Sequence, residues 1–175
     1  MRRQPWCVLL RAVNLGARNR VPMAELRRLL AEAGHEDVRT YIASGNVLLR
    51  APGPRDRVAR ELEELIAAAF SVDTTAIVRT PRELAAVAAA RPFGRDTSSV
   101  HVAFLATQPA RDAVRRLSEA DHGPDRVQLA GSDVFLHYPR GVQGARLGGA
   151  RLEKLLGVAA TVRNFRTVTA LAELA

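Results

Sequence analysis

Two stretches of this chain read alike. Residues 41–53, YIASGNVLLRAPG, and 127–141, VQLAGSDVFLHYPRG, each set a turn of small residues between two apolar runs. Ala43-Ser44-Gly45-Asn46-Val47 lies against Ala130-Gly131-Ser132-Asp133-Val134. Such a turn predicts a hairpin, because Gly, Asn and Asp accept positive φ at low cost. Each hairpin follows an apolar run and a helix-periodic segment. A pattern that recurs only twice, at a period far longer than a solenoid's, predicts an internal duplication rather than an array.

The first copy sets the order of elements. Trp6 to Val13 is a short apolar run and predicts a buried strand. Met23, Leu26, Leu29 and Leu30 repeat at helical spacing, with Pro22 at the start and Gly34 at the end. Val38 to Ile42 and Val47 to Leu49 form the hairpin, and Pro52-Gly53-Pro54 breaks the chain. Val58, Leu62, Leu65, Ile66 and Phe70 mark a second amphipathic helix, with Glu61, Glu63 and Glu64 on its solvated face. Thr75 to Arg79 is a fourth strand. The order β-α-β-β-α-β is the ferredoxin-like unit, or α/β plait.

Pro81 to Ala90 is a short helix that follows the first copy, and RPFGRDTSS is a connector to the second. Val100 to Ala106 is a strand and Pro109 to Ser118 a helix. Val127 to Ala130 and Val134 to Tyr138 form the hairpin. Leu147 to Leu156 and Val168 to Leu174 are helices. The expected fold is α+β, with two ferredoxin-like subdomains at residues 1–90 and 91–175. The second is expected to be truncated, without its last strand, and closed by C-terminal helices. Continuous runs such as CVLL and VAFLA predict sheets covered on both faces, by helices on one and by the partner subdomain or a second chain on the other.

Charge and composition limit the function. The net charge is +8. Residues 1–90 carry fourteen basic and ten acidic side chains, and residues 91–175 carry twelve and eight, so each half has a net +4. A spread excess of arginine fits a polyanionic partner or compositional bias. Aromatic residues are 5% of the chain, and the third strand, GNVLLR, has none. A ferredoxin-like RNA reader stacks bases on its first and third strands, so that mode is disfavoured. No apolar run nears the ~18 residues that span a bilayer. The run Trp6 to Leu10 is too short for a signal peptide, so the cytoplasm is expected, with no membrane partner. A single cysteine, Cys7, forms no internal disulfide and is read as a core residue. The four histidines show no ligand spacing, so no metal site is expected, and nothing in the residues names a cofactor.

Candidate site residues gather at one end of the first sheet. The first and third strands of this unit are antiparallel neighbours, so Arg11 and Asn14 come near Ser44, Gly45 and Asn46, with Asn19 in the loop beyond. Amides, a hydroxyl and an arginine suit an anion or nucleotide. The alternative for Ser44 to Asn46 is ordinary turn chemistry. Residues 138–154, YPRGVQGARLGGARLEK, carry Arg146 in a glycine-rich segment that lacks the P-loop pattern. It reads as a lid or an irregular loop. In TVRNFRT, Asn164 or Thr167 caps the last helix, Phe165 anchors it, and Leu171 and Leu174 dock it. Arg163 is not explained by capping, because a cation opposes the helix N-terminal dipole and calls for an anion.

Four motifs in order, VLLRAVNLGARNRVPMAELRRLL, VRTYIASGNVLL, FLHYPRGVQGARL and TVRNFRTVTALAEL, resemble the DUF1697 family of bacterial proteins. The resemblance covers essentially the whole chain. It implies two plait-like subdomains and no assigned activity. Arg11, Asn14, Gly16 and Asn19 match the family pattern after the first strand, while Ala12 and Ala17 replace glycines. Tyr41, Ile42, Ser44, Gly45, Asn46 and Val47 match the hairpin. Ala145-Arg146 stands where Ser-Lys is frequent, and Phe165 replaces a tryptophan. The resulting expectation is a module that binds a small anionic or nucleotide-like ligand through Arg11, Asn14, Asn19, Ser44, Gly45, Asn46, Arg146, Arg163, Asn164 and Thr167. Non-specific nucleic-acid binding through distributed arginines is one alternative. A structural or homodimeric protein with no ligand is another.

Overall fold

The computed structural model describes residues 2–175. They form two compact units, one running to Ala85 and including Leu171–Ala175, the other Ala86–Ala170.

The first unit comprises β1 (Arg3–Leu10), α1 (Met23–Glu32), β2 (Glu36–Tyr41), β3 (Asn46–Pro52), α2 (Arg55–Phe70) and β4 (Ala76–Arg79), followed by the start of α3 (Pro81–Ala89). Its antiparallel sheet has the order β2-β3-β1-β4. Alternation along β1 sends Trp6, Val8 and Leu10 into one core with Leu26 and Leu30 of α1 and Val58, Leu62 and Ile66 of α2. The helix residues recur every four positions, which is one helical stripe. Each buried aliphatic side chain contributes about 1.5–3 kcal/mol. On the opposite face of β1, Cys7 and Leu9 are also fully buried. Burial on both faces is why CVLL shows no polar alternate.

The ends of elements are fixed by local chemistry. Gly34 (φ +89) and Ser71 (φ +53) turn the chain left-handed just beyond α1 and α2. Thr80 and Glu83 form a reciprocal capping box on α3: Thr80 Oγ1 accepts from the Glu83 N–H at 3.2 Å, and Glu83 Oε2 accepts from the Thr80 N–H at 2.7 Å. Glu63, expected on a solvated face, instead turns inward, and its Oε1 accepts the Ala76 N–H at 2.8 Å where β4 begins.

The second unit comprises the end of α3, then β5 (Val100–Leu105), α4 (Arg111–Glu119), β6 (Arg126–Ala130), β7 (Asp133–His137), α5 (Gly149–Leu156), β8 (Ala160–Asn164) and α6 (Phe165–Leu174). Its sheet order is β6-β7-β5-β8, all antiparallel. The expected truncation is therefore corrected, since β8 is the missing fourth strand and pairs with β5 over its length. It was hidden because Thr161, Arg163 and Asn164 look like a polar cap segment. Yet Thr161 and Arg163 are buried on one face, while Ala160 and Val162 pack in the core with Leu105, Leu152 and Leu156. Leu174, expected to dock α6, is 40% exposed, and Leu171 is buried. Among the described residues no helix is long and apolar enough to cross a membrane.

Candidate functional site

The loop after β1 brings the first-unit candidates together. Asn14 is its bracket. Its amide Nδ2 donates to the carbonyls of Val21 (2.9 Å) and Ala43 (2.7 Å), and its Oδ1 accepts the Val21 N–H at 2.8 Å. The Asn14 N–H donates to Asn19 O at 2.8 Å, and Asn19 Nδ2 donates to Ala12 O at 2.9 Å. The amides thus fold the loop on itself and tie it to the β2–β3 turn. Arg11 anchors the other end, with its N–H on Thr75 O (3.0 Å) and its carbonyl accepting from Thr74 Oγ1 (2.7 Å).

The hairpin turn sits as the register requires. Leu9 lies opposite Asn46, and the Leu10 N–H donates to Gly45 O at 2.8 Å. Asn46 is fully buried, and its Nδ2 donates to Tyr41 O (2.9 Å) and Ser44 Oγ (3.0 Å). Gly45 has φ +83, and a Cβ there would fall 2.5 Å from Val13 Cγ2. Only glycine fits, for both backbone and packing reasons.

The backbone of this mouth is bent. Ala12, Asn14 and Asn19 adopt φ of +56, +53 and +51, and Ile42 of the facing turn adopts +51. Leu15 (66%) and Ile42 (53%) are among the most exposed large apolar residues described. Arg18 and Arg20 are exposed on the same loop. Sequence reasoning passed over Leu15, Arg18, Arg20 and Ile42. The available signal was an apolar Leu15 set between Asn14 and Gly16 in an otherwise polar loop.

The second-unit candidates have local partners. Arg163 is 8% exposed, and its Nη1 donates to Thr161 Oγ1 (2.7 Å) and Val162 O (3.0 Å). Asn164 Oδ1 accepts the Thr167 N–H at 2.8 Å and caps α6. Thr167 is buried, and Phe165 is 2% exposed and lies 6.5 Å from the Phe135 ring. Arg146 Nη1 pairs with Asp121 at 3.0 Å, and its N–H and that of Leu147 both donate to Asp125 Oδ2, at 2.6 and 2.9 Å. Tyr138 donates its hydroxyl to Leu147 O at 2.8 Å, and burial, with Asp125 adding repulsion, pushes its pKa up to about 12. A segment tied at four points is pinned, so it does not have the freedom of a lid.

The RNA-reading surface of a plait is closed here. Leu48 and Ile77 share the face opposite α1 and α2 with Cys7 and Leu9, and all four are at most 3% exposed. No base reaches them.

Two four-stranded antiparallel sheets, each backed by helices in β-α-β-β-α-β order, define an α+β protein of the double-plait kind. The DUF1697 pattern, described as a protein of unknown function, matches residues 3–135. The chain belongs to the DUF1697 family. Among solved structures it is similar to the conserved bacterial protein SP0830 from Streptococcus pneumoniae, with a TM-score of 0.77, 21% identity and 99% of each chain covered. That likeness is one of fold. No curated protein matches the chain.

Proposed function

We propose that this protein is a cytoplasmic binding module for a small anionic or nucleotide-like ligand. The mouth is built in the first unit by Arg11, Asn14, Asn19, Ser44, Gly45 and Asn46. The observation that carries the reading is the backbone of the loop. Three non-glycine residues, Ala12, Asn14 and Asn19, stand left-handed within eight positions. Ala12 costs about 1–2 kcal/mol there, Asn14 and Asn19 less because asparagine tolerates the region, and such conformations cluster where a chain is held for a partner. The three hydrogen bonds of the Asn14 side chain, all to backbone groups, maintain that shape. Arg11 supplies charge, Arg18 and Arg20 add to it, and exposed Leu15 and Ile42 offer apolar contact. Arg146, Arg163, Asn164 and Thr167 keep the structural roles described above.

We also infer that the two units descend from one by internal duplication. The matching strand orders support this, as do two repeated contacts. Glu153 Oε1 accepts the Ala160 N–H at 2.7 Å at the start of β8, as Glu63 does for β4. Arg79 and Arg163 each donate Nη1 to the preceding residue's carbonyl at 3.0 Å.

A thermal-shift and calorimetric screen against nucleotides and sugar phosphates tests the binding reading. A ligand at 100 times its Kd adds roughly 2.7 kcal/mol to stability. Arg11→Ala removes a charge-assisted contact of about 1.5–3 kcal/mol and should weaken a hit at least tenfold. Silence across the panel, or a hit indifferent to Arg11→Ala, overturns the proposal.

A further inference from the structure

We propose that the second unit carries a surface for single-stranded nucleic acid, centred on Phe93 and separate from the first-unit mouth. Phe93 is half-buried on the Arg91–Ser99 connector. The Arg126 guanidinium lies 4.8 Å from its ring centroid, and the His137 ring lies 5.6 Å away, tilted by 37°. Arg126 and His137 are register partners on β6 and β7, so strand pairing itself delivers both to one aromatic ring.

Cations surround this stack. Arg91, Arg95 and Arg126 are all exposed. Arg91 Nη1 donates to Arg95 O at 3.4 Å, which ties the Arg91 side chain to the connector backbone, and its guanidinium lies 5.9 Å from the Phe165 ring centroid. None of the three has a carboxylate partner among the described residues, whereas Arg28, Arg57 and Arg146 are each paired with an acid. The one acid of the connector, Asp96, is engaged locally. Its Oδ1 accepts from Ser98 N–H at 3.0 Å and Ser98 Oγ at 2.7 Å. Three cations therefore face solvent against one carboxylate.

This combination selects its partner. A planar guanidinium already stacked on an aromatic ring offers its outer face to a further planar group, and an unpaired base is that group. Arg91 and Arg95 then meet the adjacent phosphates. An acidic peptide matches the charge but brings no base to stack. A duplex keeps its bases stacked inside.

The test is fluorescence anisotropy of the full chain with a labelled 12-nucleotide oligouridine, at several salt concentrations. Stacking contributions of about 1–3 kcal/mol per base correspond to a roughly 5- to 150-fold loss for Arg126→Ala. Arg126→Lys restores charge without the plane and should recover only a minor part of that loss. Joint Arg91→Ala and Arg95→Ala should reduce the log–log salt slope by about 1.4, at ~0.7 per phosphate. Arg111→Ala, an exposed change on α4, should stay within twofold. Arg126 is exposed, so its variants should fold, and unchanged circular dichroism confirms that. Absence of binding overturns the proposal. So does full rescue by lysine, an equal loss in Arg111→Ala, or competition by polyglutamate as strong as by unlabelled oligouridine.

Discussion

Gly45→Ala isolates the tightest point of the first unit. Two separable penalties are expected. The backbone stands at φ +83, where an L-residue is strained by about 1–2 kcal/mol. The added methyl would fall 2.5 Å from Val13 Cγ2 and 2.9 Å from Leu10 Cβ. Leu10 Cβ moves only with the β1 backbone, and Val13 is 2% exposed, so neither gives way cheaply. Overpacking of that kind costs about 1–3 kcal/mol, and the sum is roughly 2–5 kcal/mol. Gly131 supplies the control. It occupies the corresponding turn before β7 at φ +62, and a methyl added there would meet nothing within 4 Å. Gly131→Ala should lose the backbone term alone, about 1–2 kcal/mol. Urea unfolding reads the difference. Far-UV circular dichroism, which reports on both units, follows each variant, and Trp6, the sole tryptophan and buried in the first unit, gives a second signal for Gly45→Ala. With m of about 2 kcal/mol/M, the Gly45→Ala midpoint should fall by roughly 1–2.5 M. An unshifted midpoint, or a loss in Gly131→Ala as large as in Gly45→Ala, refutes the steric reasoning.

Two further outcomes follow from contacts already described. Asn164→Ala removes the cap on α6 and should lower stability by about 1 kcal/mol in circular-dichroism melts, while Asn164→Asp should hold it. Burial depresses the pKa of His35, with Glu61 opposing that shift and Arg3 adding to it. A depressed histidine binds fewer protons folded than unfolded, so its stability contribution is present above its ordinary value of 6.5 and is lost as pH falls through the folded pKa. Denaturation between about pH 7.5 and 5 should therefore show declining stability, with a shallower decline in His35→Gln; equal slopes count against it.

Much of the fold was legible. Leu26, Leu30, Leu62 and Ile66 announced their helices because each core contact lies one turn from the next along the same helix. The β2–β3 and β6–β7 hairpins were legible for the same reason, since Gly45 and Gly131 sit beside the strands they join. What stayed hidden depends on distant partners. Asn14 looks like any loop amide until Ala43, 29 positions away, accepts from it. Glu63 reads as solvated because its partner, the Ala76 N–H, lies beyond the end of its helix. β8 was missed because a buried arginine breaks the apolar pattern of a strand. Phe93 read as connector, since Arg126 and His137 reach it only through the folded sheet.

The first unit is discontinuous in sequence. Leu171–Ala175 belong to it, and Arg39 of β2 donates to Leu174 O at 2.7 Å. These residues leave the ribosome only after the entire second unit. At roughly 5–20 residues per second, the first sheet waits several seconds for its last contacts. During that interval β2, the edge strand at one end of the sheet, has yet to gain them. The second unit, continuous from Ala86 to Ala170, has every part it needs before synthesis reaches Leu171. The order of completion is thus the reverse of the order of synthesis.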